Sequence, residues 1–236
     1  MKQILMFILT LLSCLHIQAQ EEFFMTGLLP DDGTYEQLPR KAELITRDYK
    51  VLPSKYSLMQ YCPDVKSQSK YSTCTSWATA YAARTIAEAI KYGWTDKDKI
   101  TNEAFSPLFV YALIKGETGH QDNDCQRGSH ISKALQIMKE KGVPKYSSFD
   151  VLCANYVNDN LMLAATPFKI DDYFTLFSIT FADEAEKVRK VKKSLSEDCP
   201  VVIAMWLPES FRKAGDYWNG TDVDTTKHGY HAMCVI

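Results

Sequence analysis

No basic tail or basic stripe runs through this sequence: lysine and arginine number 27 against 29 aspartates and glutamates, for a formal charge of −2. Phosphate neutralisation is therefore a poor source of affinity, and nucleic acid is excluded as a principal partner. Cysteines are present, seven in all, but no two form a CxxC pair and no Cys/His cluster has zinc spacing. His120 and His130 flank a polar loop with Asp122, Asp124 and Cys125. That spacing fits no common zinc pattern, so a solvated loop is expected, with no metal and no cofactor. Internal repeats and low-complexity tracts are missing, and the one strongly apolar run is too short to span a bilayer comfortably. What is there is the composition of a folded domain: 236 residues, 46% hydrophobic and 24% charged. Such a chain buries a substantial core, as one domain with room for two lobes.

The first residues read as an export signal. Lys2 precedes an apolar stretch from Ile4 to Leu15, and a small-residue cleavage site ends at Ala19. Residues 1–19 are therefore expected to be a signal peptide. A second processing route is open, because "LLSC" also resembles a bacterial lipoprotein signal in which Cys14 becomes a lipid anchor. Either route places the mature protein outside the cytoplasm, in the periplasm, at the cell surface or in the medium. Six cysteines remain after a cut at Ala19: Cys62, Cys74, Cys125, Cys153, Cys199 and Cys234. An exported compartment permits disulfides, and the sequence leaves their connectivity and the oligomeric state open.

Residues 20–51 form a polar, turn-rich leader with no sustained period, expected to wrap the surface. From Cys74 to Tyr92 there is neither glycine nor proline, and alanines are dense. Trp77, Tyr81, Arg84, Glu88 and Lys91 recur at three- and four-residue steps, which predicts a helix capped by Ser72 or Thr73 and stopped at Gly93. "SPLFVYALIK" predicts a helix with Pro107 in its first turn, and "SHISKALQIMKEKGV" another ended by Gly142. Beyond Pro167, "FKIDDYFTLF", "CPVVIAMWL" and "HAMCVI" read as strands, with a charged helix over "FADEAEKVRKVKKSLSED". Helices gather early and strands late, so the class is α+β: a helical lobe over about residues 66–165 and a β lobe over about residues 166–236.

"LPSKYSLMQYCPDVKSQSKYSTCTSWATAYAA", "SPLFVYALIK", "DCQRGSHISKALQIMKEKGV", "SEDCPVVIAMWLPESF" and the terminal "GYHAMCVI" occur in one order. From about Leu52 to Ile236 this set resembles the papain-like cysteine peptidases, in their bacterial secreted branch. The resemblance implies a two-lobed fold in residues 52–236 whose central helix starts at the cysteine, and a peptide or protein as substrate. It implies Cys74 as nucleophile, His231 as its imidazole partner, and Gln68 with the Cys74 amide as oxyanion donors. Gly128 becomes the exposed backbone that pairs with an extended substrate, and Arg127 stands in that groove where the family has another glycine. Physical chemistry asks for such a set. A thiol attacks a carbonyl as thiolate, and a helix amino terminus and an imidazolium both favour the anion.

Several positions differ from the family pattern. Tyr71 replaces a cysteine whose usual partner lies at the position of Cys125, and Thr75 replaces the tryptophan after the nucleophile, with Trp77 two places on. The leader is shorter than the lysosomal inhibitory propeptides, so zymogen control of that kind is not expected. The family's orienting asparagine follows the histidine, whereas here the chain stops shortly after His231, which reads as a fragment with incomplete closing strands. Three functions follow: an exported cysteine peptidase working through an acyl-enzyme, a catalytically inactive papain-like binding module, or another Cys-His acyl transferase or amidase. The plain alternative for Cys74 is a buried thiol, and for His231 a strand histidine bonded to a carbonyl, with His228 as its rival.

Overall fold

The computed structural model describes residues 26–42, 52–119, 124–212, 214–220 and 229–236. The signal peptide, Cys14, His120, Asp122 and His228 lie outside the described residues.

The central helix begins as α-helix over Cys74–Ser76, widens to π-helical hydrogen bonding over Trp77–Arg84, and returns to α geometry over Thr85–Lys91. Its alanines let neighbours approach closely: Ala80 and Ala89 are fully buried. It stops where glycine allows, since Gly93 has φ +64° and the next amide, of Trp94, reaches back to the Ala89 carbonyl. Its four-residue steps make a largely buried ion pair, Arg84 to Glu88 at 2.6 Å, with the guanidinium over the buried Phe105 ring.

Two further long helices build the helical lobe, beside shorter ones at Lys97–Asn102 and Asp159–Ala165. In Pro107–Glu117 the Ser106 hydroxyl caps the Phe109 amide and Pro107 occupies the first turn. Ile131–Glu140 presents Ala134, Ile137 and Met138 to the same interior, and the chain turns away at Gly142, φ +85°. Phe105, Phe109, Val110 and Val143 fill the space between them with no exposure. Fully burying side chains of that size contributes about 1.5–3 kcal/mol each.

The β lobe packs against the opposite side of the central helix. Strand β1, Val201–Leu207, pairs antiparallel with β2, Gly229–Val235, in a register that sets Met205 opposite His231 and Trp206 opposite Tyr230. The charged helix is present as Glu184–Ser196, with Leu195 and Val201 packed on Leu58 and Ile86.

One strand expectation fails. The "FKIDDYFTLF" run is not a strand: its described partner is a single bridge from Thr175 to Arg40 of the leader. Its aromatic and β-branched residues gave a strand pattern, but among the described residues no neighbouring strand lies alongside to satisfy a ladder. The leader also departs from expectation. It contains a short helix, Asp32–Gln37, and instead of only wrapping the surface it enters the groove between the lobes.

Candidate active site

Cys74 is the first residue of the central helix, with Thr73 at the cap position. The Thr73 hydroxyl makes no capping bond there, and while the Ser76 and Trp77 amides bond the Thr73 carbonyl, the Cys74 and Thr75 amides are directed at the sulfur. Cys74 is 1% exposed. Burial pushes its pKa above the usual thiol value, while the backbone N–H groups of Ala232, Gly27, Thr75 and Cys74 itself pull the other way. The thiol is thus neutral in this state, with a ring of donors already placed for the anion. Ala232 brings β2 to the sulfur, so the residue beside it in sequence, His231, belongs to the segment that covers the helix start.

The cover over Cys74 comes from the leader. Gly27 N–H donates to Cys74 Sγ at 3.3 Å, and the Gly27 carbonyl accepts from Ser129 N–H at 2.8 Å. Leu28 N–H donates to the Tyr230 carbonyl and Leu29 N–H to the Ser129 carbonyl. The segment therefore lies as an extended strand between residues 128–129 and β2, bridging Leu28 to Ser129 in parallel. The Leu28 side chain is buried among Ala78, Ala232, Ile131, Val202 and Tyr230. No side chain fits at Gly27, because a Cβ there would sit 2.2 Å from the Ser72 carbonyl carbon and oxygen. Gly128 is constrained from the facing side: a Cβ would come within 2.6 Å of the Gly27 carbonyl oxygen.

The leader is pinned at further points. His130 Nδ1 donates to the Leu29 carbonyl at 3.0 Å, and Ser132 donates to Asp31 at 2.7 Å. Glu36 accepts from the Ser178 hydroxyl and from the amides of Ile179 and Thr180, which holds its carboxyl below the usual range. Tyr35 OH donates to the Phe177 carbonyl, and Thr175 and Lys41 exchange backbone bonds with the leader and the β lobe.

Of the other expected residues, His231 is half-buried, its Nδ1 has no hydrogen-bond partner among the described residues, and burial holds its pKa below the ordinary value. An imidazolium–thiolate pair is not the state of this covered site. Gln68 Nε2 donates to the Tyr71 carbonyl at 3.0 Å, within the turn that leads to Cys74. Arg127 is exposed, and its carbonyl accepts from Tyr111 OH, which fixes the backbone of the wall. Cys125, at the start of that wall, is bridged to Cys153. Among the described residues Cys62, Cys74, Cys199 and Cys234 are free, and none of the His, Cys, Asp and Glu groups gathers as a metal site.

Sequence reasoning missed Gly27, Leu28, Ser129 and Tyr230. All four act through main-chain atoms, which leave no side-chain signature; the "TGLLP" run, two leucines in a polar leader, was the one available signal.

A helical half and a sheet half meeting over a cysteine that opens the central helix define the papain-like cysteine peptidase fold. By sequence the chain matches no protein-family model and no curated protein significantly. In three dimensions it is similar to xylellain, a cysteine protease from Xylella fastidiosa, with a TM-score of 0.64 at 18% identity over 89% of this chain and 78% of that one. It is similar also to digestive procathepsin L 3 of Tenebrio molitor larval midgut, at 0.58 and 14% identity over 91% and 68% of the two chains. For proCathepsin B S9 from Trypanosoma congolense the values are 0.51 and 13%, covering 78% of this chain and 61% of that one.

Proposed function

We propose that the chain is an exported cysteine peptidase that hydrolyses peptide bonds in extended substrates through an acyl-enzyme at Cys74, and that residues 26–30 hold it latent. The observation that carries this reading is an extended stretch of main chain lying on residues 128–129 with its backbone against the sulfur of a helix-opening cysteine. The leader offers that sulfur an N–H, and its carbonyl is turned to Ser129 instead. It therefore occupies the place of a substrate without presenting a carbonyl carbon for attack.

With the leader withdrawn, water reaches the thiol and the desolvation that raises its pKa falls. The helix-start amides and the Ala232 N–H then favour the thiolate. His231 accepts the thiol proton and later gives it to the leaving amine, while water releases the acyl group in a second step. The Cys74 amide and Gln68 supply donors to the tetrahedral oxyanion; one such donor is typically worth about 3 kcal/mol of barrier. The Cys125–Cys153 bridge supports residence in an oxidising compartment, in keeping with the export signal, or with a lipid anchor at Cys14.

A chain opened by removal of the leader should hydrolyse casein and take up a thiol-directed epoxide at Cys74, with both abolished in Cys74→Ala. Absence of labelling in the opened chain overturns catalysis and leaves a peptide-binding module, the reading that the buried thiol favours. Preferential release from purified cell-wall peptides over casein would instead assign an amidase.

A further inference from the structure

The wall that carries residues 128–129 is tied down by the Cys125–Cys153 bridge, and a buried ammonium lies against that bridge. Lys115, 4% exposed on helix Pro107–Glu117, places Nζ 3.3 Å from Cys125 Sγ and 3.6 Å from Cys153 Sγ, and donates to Asn155 Oδ1 at 2.7 Å. A positive charge does little for a neutral disulfide. It does much for the sulfur anions that appear when the bond opens, because an adjacent ammonium lowers a thiol's pKa and makes that sulfur the better leaving group.

The two sulfurs differ in access. Cys125 is fully buried, whereas Cys153 is only partly buried, on the segment that follows Asp150. Both residues hold left-handed backbone, φ +49° and +53°, which a non-glycine residue adopts only under constraint. Cys125 is also a junction of the site: its carbonyl accepts from Ser72 N–H in the turn before Cys74, and three residues later the wall begins. Ser129 in turn shares a hydroxyl contact with Thr75 of the central helix.

We infer that the Cys125–Cys153 bridge is a reducible lock on the cleft wall, opened by small thiols with Lys115 receiving the released sulfur anion. An external thiolate attacks Cys153 Sγ, the S–S bond breaks, and its electron pair goes to Cys125 Sγ, 3.3 Å from the ammonium. A second external thiol resolves the mixed disulfide at Cys153. The sum is protein disulfide plus two thiols giving protein dithiol plus one external disulfide. With the tie gone, Cys125 can leave its left-handed backbone, and the wall loosens its hold on whatever chain lies along Ser129. This role for the wall rests on the functional reading above, while the redox chemistry stands without it.

The test uses the full chain carrying Cys74→Ala, equilibrated in glutathione buffers of graded ratio. Differential alkylation and peptide mass spectrometry read the bridge, and amide hydrogen exchange reads Leu29 and Ser129, whose N–H groups join leader to wall. Reduction should be reached within the glutathione range. Lys115→Met should require at least tenfold more reducing conditions for the same fraction, and Lys115→Arg, which keeps the charge, should stay near the parent. Exchange at Leu29 and Ser129 should quicken at least tenfold in the reduced form. A bridge that resists glutathione, or a midpoint indifferent to Lys115→Met in a folded variant, overturns the redox assignment. Unchanged exchange on reduction overturns the lock. Neither readout needs hydrolysis, so failure of the peptidase reading remains distinguishable.

Discussion

Replacing Gly27 by alanine should drive the leader out of the cleft. The new methyl would sit 2.2 Å from the Ser72 carbonyl carbon and oxygen and 2.6 Å from its Cα. All three are backbone atoms of the turn before Cys74, held by the Ser72 N–H bond to Cys125, so they cannot give way cheaply. Displacement forfeits the Gly27 bond to sulfur, the pairing of Gly27 and Leu29 with Ser129, the Leu28 bond to Tyr230, and the burial of Leu28, now 6% exposed. A leucine contributes about 2 kcal/mol on burial. The hydrogen bonds add on the order of 1 kcal/mol each before water and regained chain freedom offset them. A net loss of about 3 kcal/mol moves the covered-to-open ratio by roughly a hundredfold. The assay is the second-order rate of Cys74 alkylation in the full chain, with mass spectrometry to assign the sulfur. Gly27→Ala should react roughly a hundredfold faster, by the same arithmetic, while its melting temperature moves little because the helical core does not depend on residue 27. Equal rates in the two proteins, with the variant folded, would refute the idea that the leader is what shields the thiol.

Glu36 makes the covering pH-sensitive. Its carboxyl is held below the ordinary glutamate value by Ser178, by the Thr180 and Ile179 amides and by Arg40, so its grip is complete above that ordinary value and is lost as pH falls through the depressed one. A dipyridyl disulfide, which reacts with thiols in acid, should find Cys74 faster below about pH 4.3, the ordinary glutamate value; Glu36→Ala should be fast at every pH, and a flat wild-type profile would contradict the latch. The Cys125–Cys153 bridge closes a loop of separation 28. Replacing both cysteines by serine should cost about 3–4 kcal/mol of unfolding free energy by chain-entropy arithmetic, read by urea titration. His231→Ala in a leader-free chain should lower the rate of peptide hydrolysis by at least about a hundredfold, the lower end of what a positioned acid–base supplies, and an unaffected rate would remove His231 from the chemistry.

The helices of the first lobe were legible because their local signals agree. Alanine density without glycine or proline marks Cys74–Lys91, Ser106 and Pro107 mark a start, and Gly93 and Gly142 mark ends. β1 and β2 were legible as apolar runs bounded by turn residues. "FKIDDYFTLF" misled because strand propensity describes a surface that fits a sheet, and the partner that would make it one is a leader bridge at Thr175. The π-helical stretch over Trp77–Arg84 had no signal at all, since its side chains satisfy ordinary helical spacing. The cysteine and its glycine wall were readable as residues. Their occupant was not, because Gly27 acts by having no side chain and by donating one N–H. Nor could spacing choose Cys153 as partner for Cys125, since pairing depends on how the chain returns after helix Ile131–Glu140.

The strand over Cys74 is covalently continuous with the protein it covers, joined through the stretch between Ala42 and Leu52. A tethered segment of that kind competes at an effective concentration of the order of millimolar, whatever the dilution of the protein. One cut in the connecting stretch would abolish that advantage: the severed peptide, once dissociated, would be diluted to the nanomolar or micromolar level of the protein itself. A single hydrolytic event would thereby become a one-way commitment, with no step available to restore the uncut form.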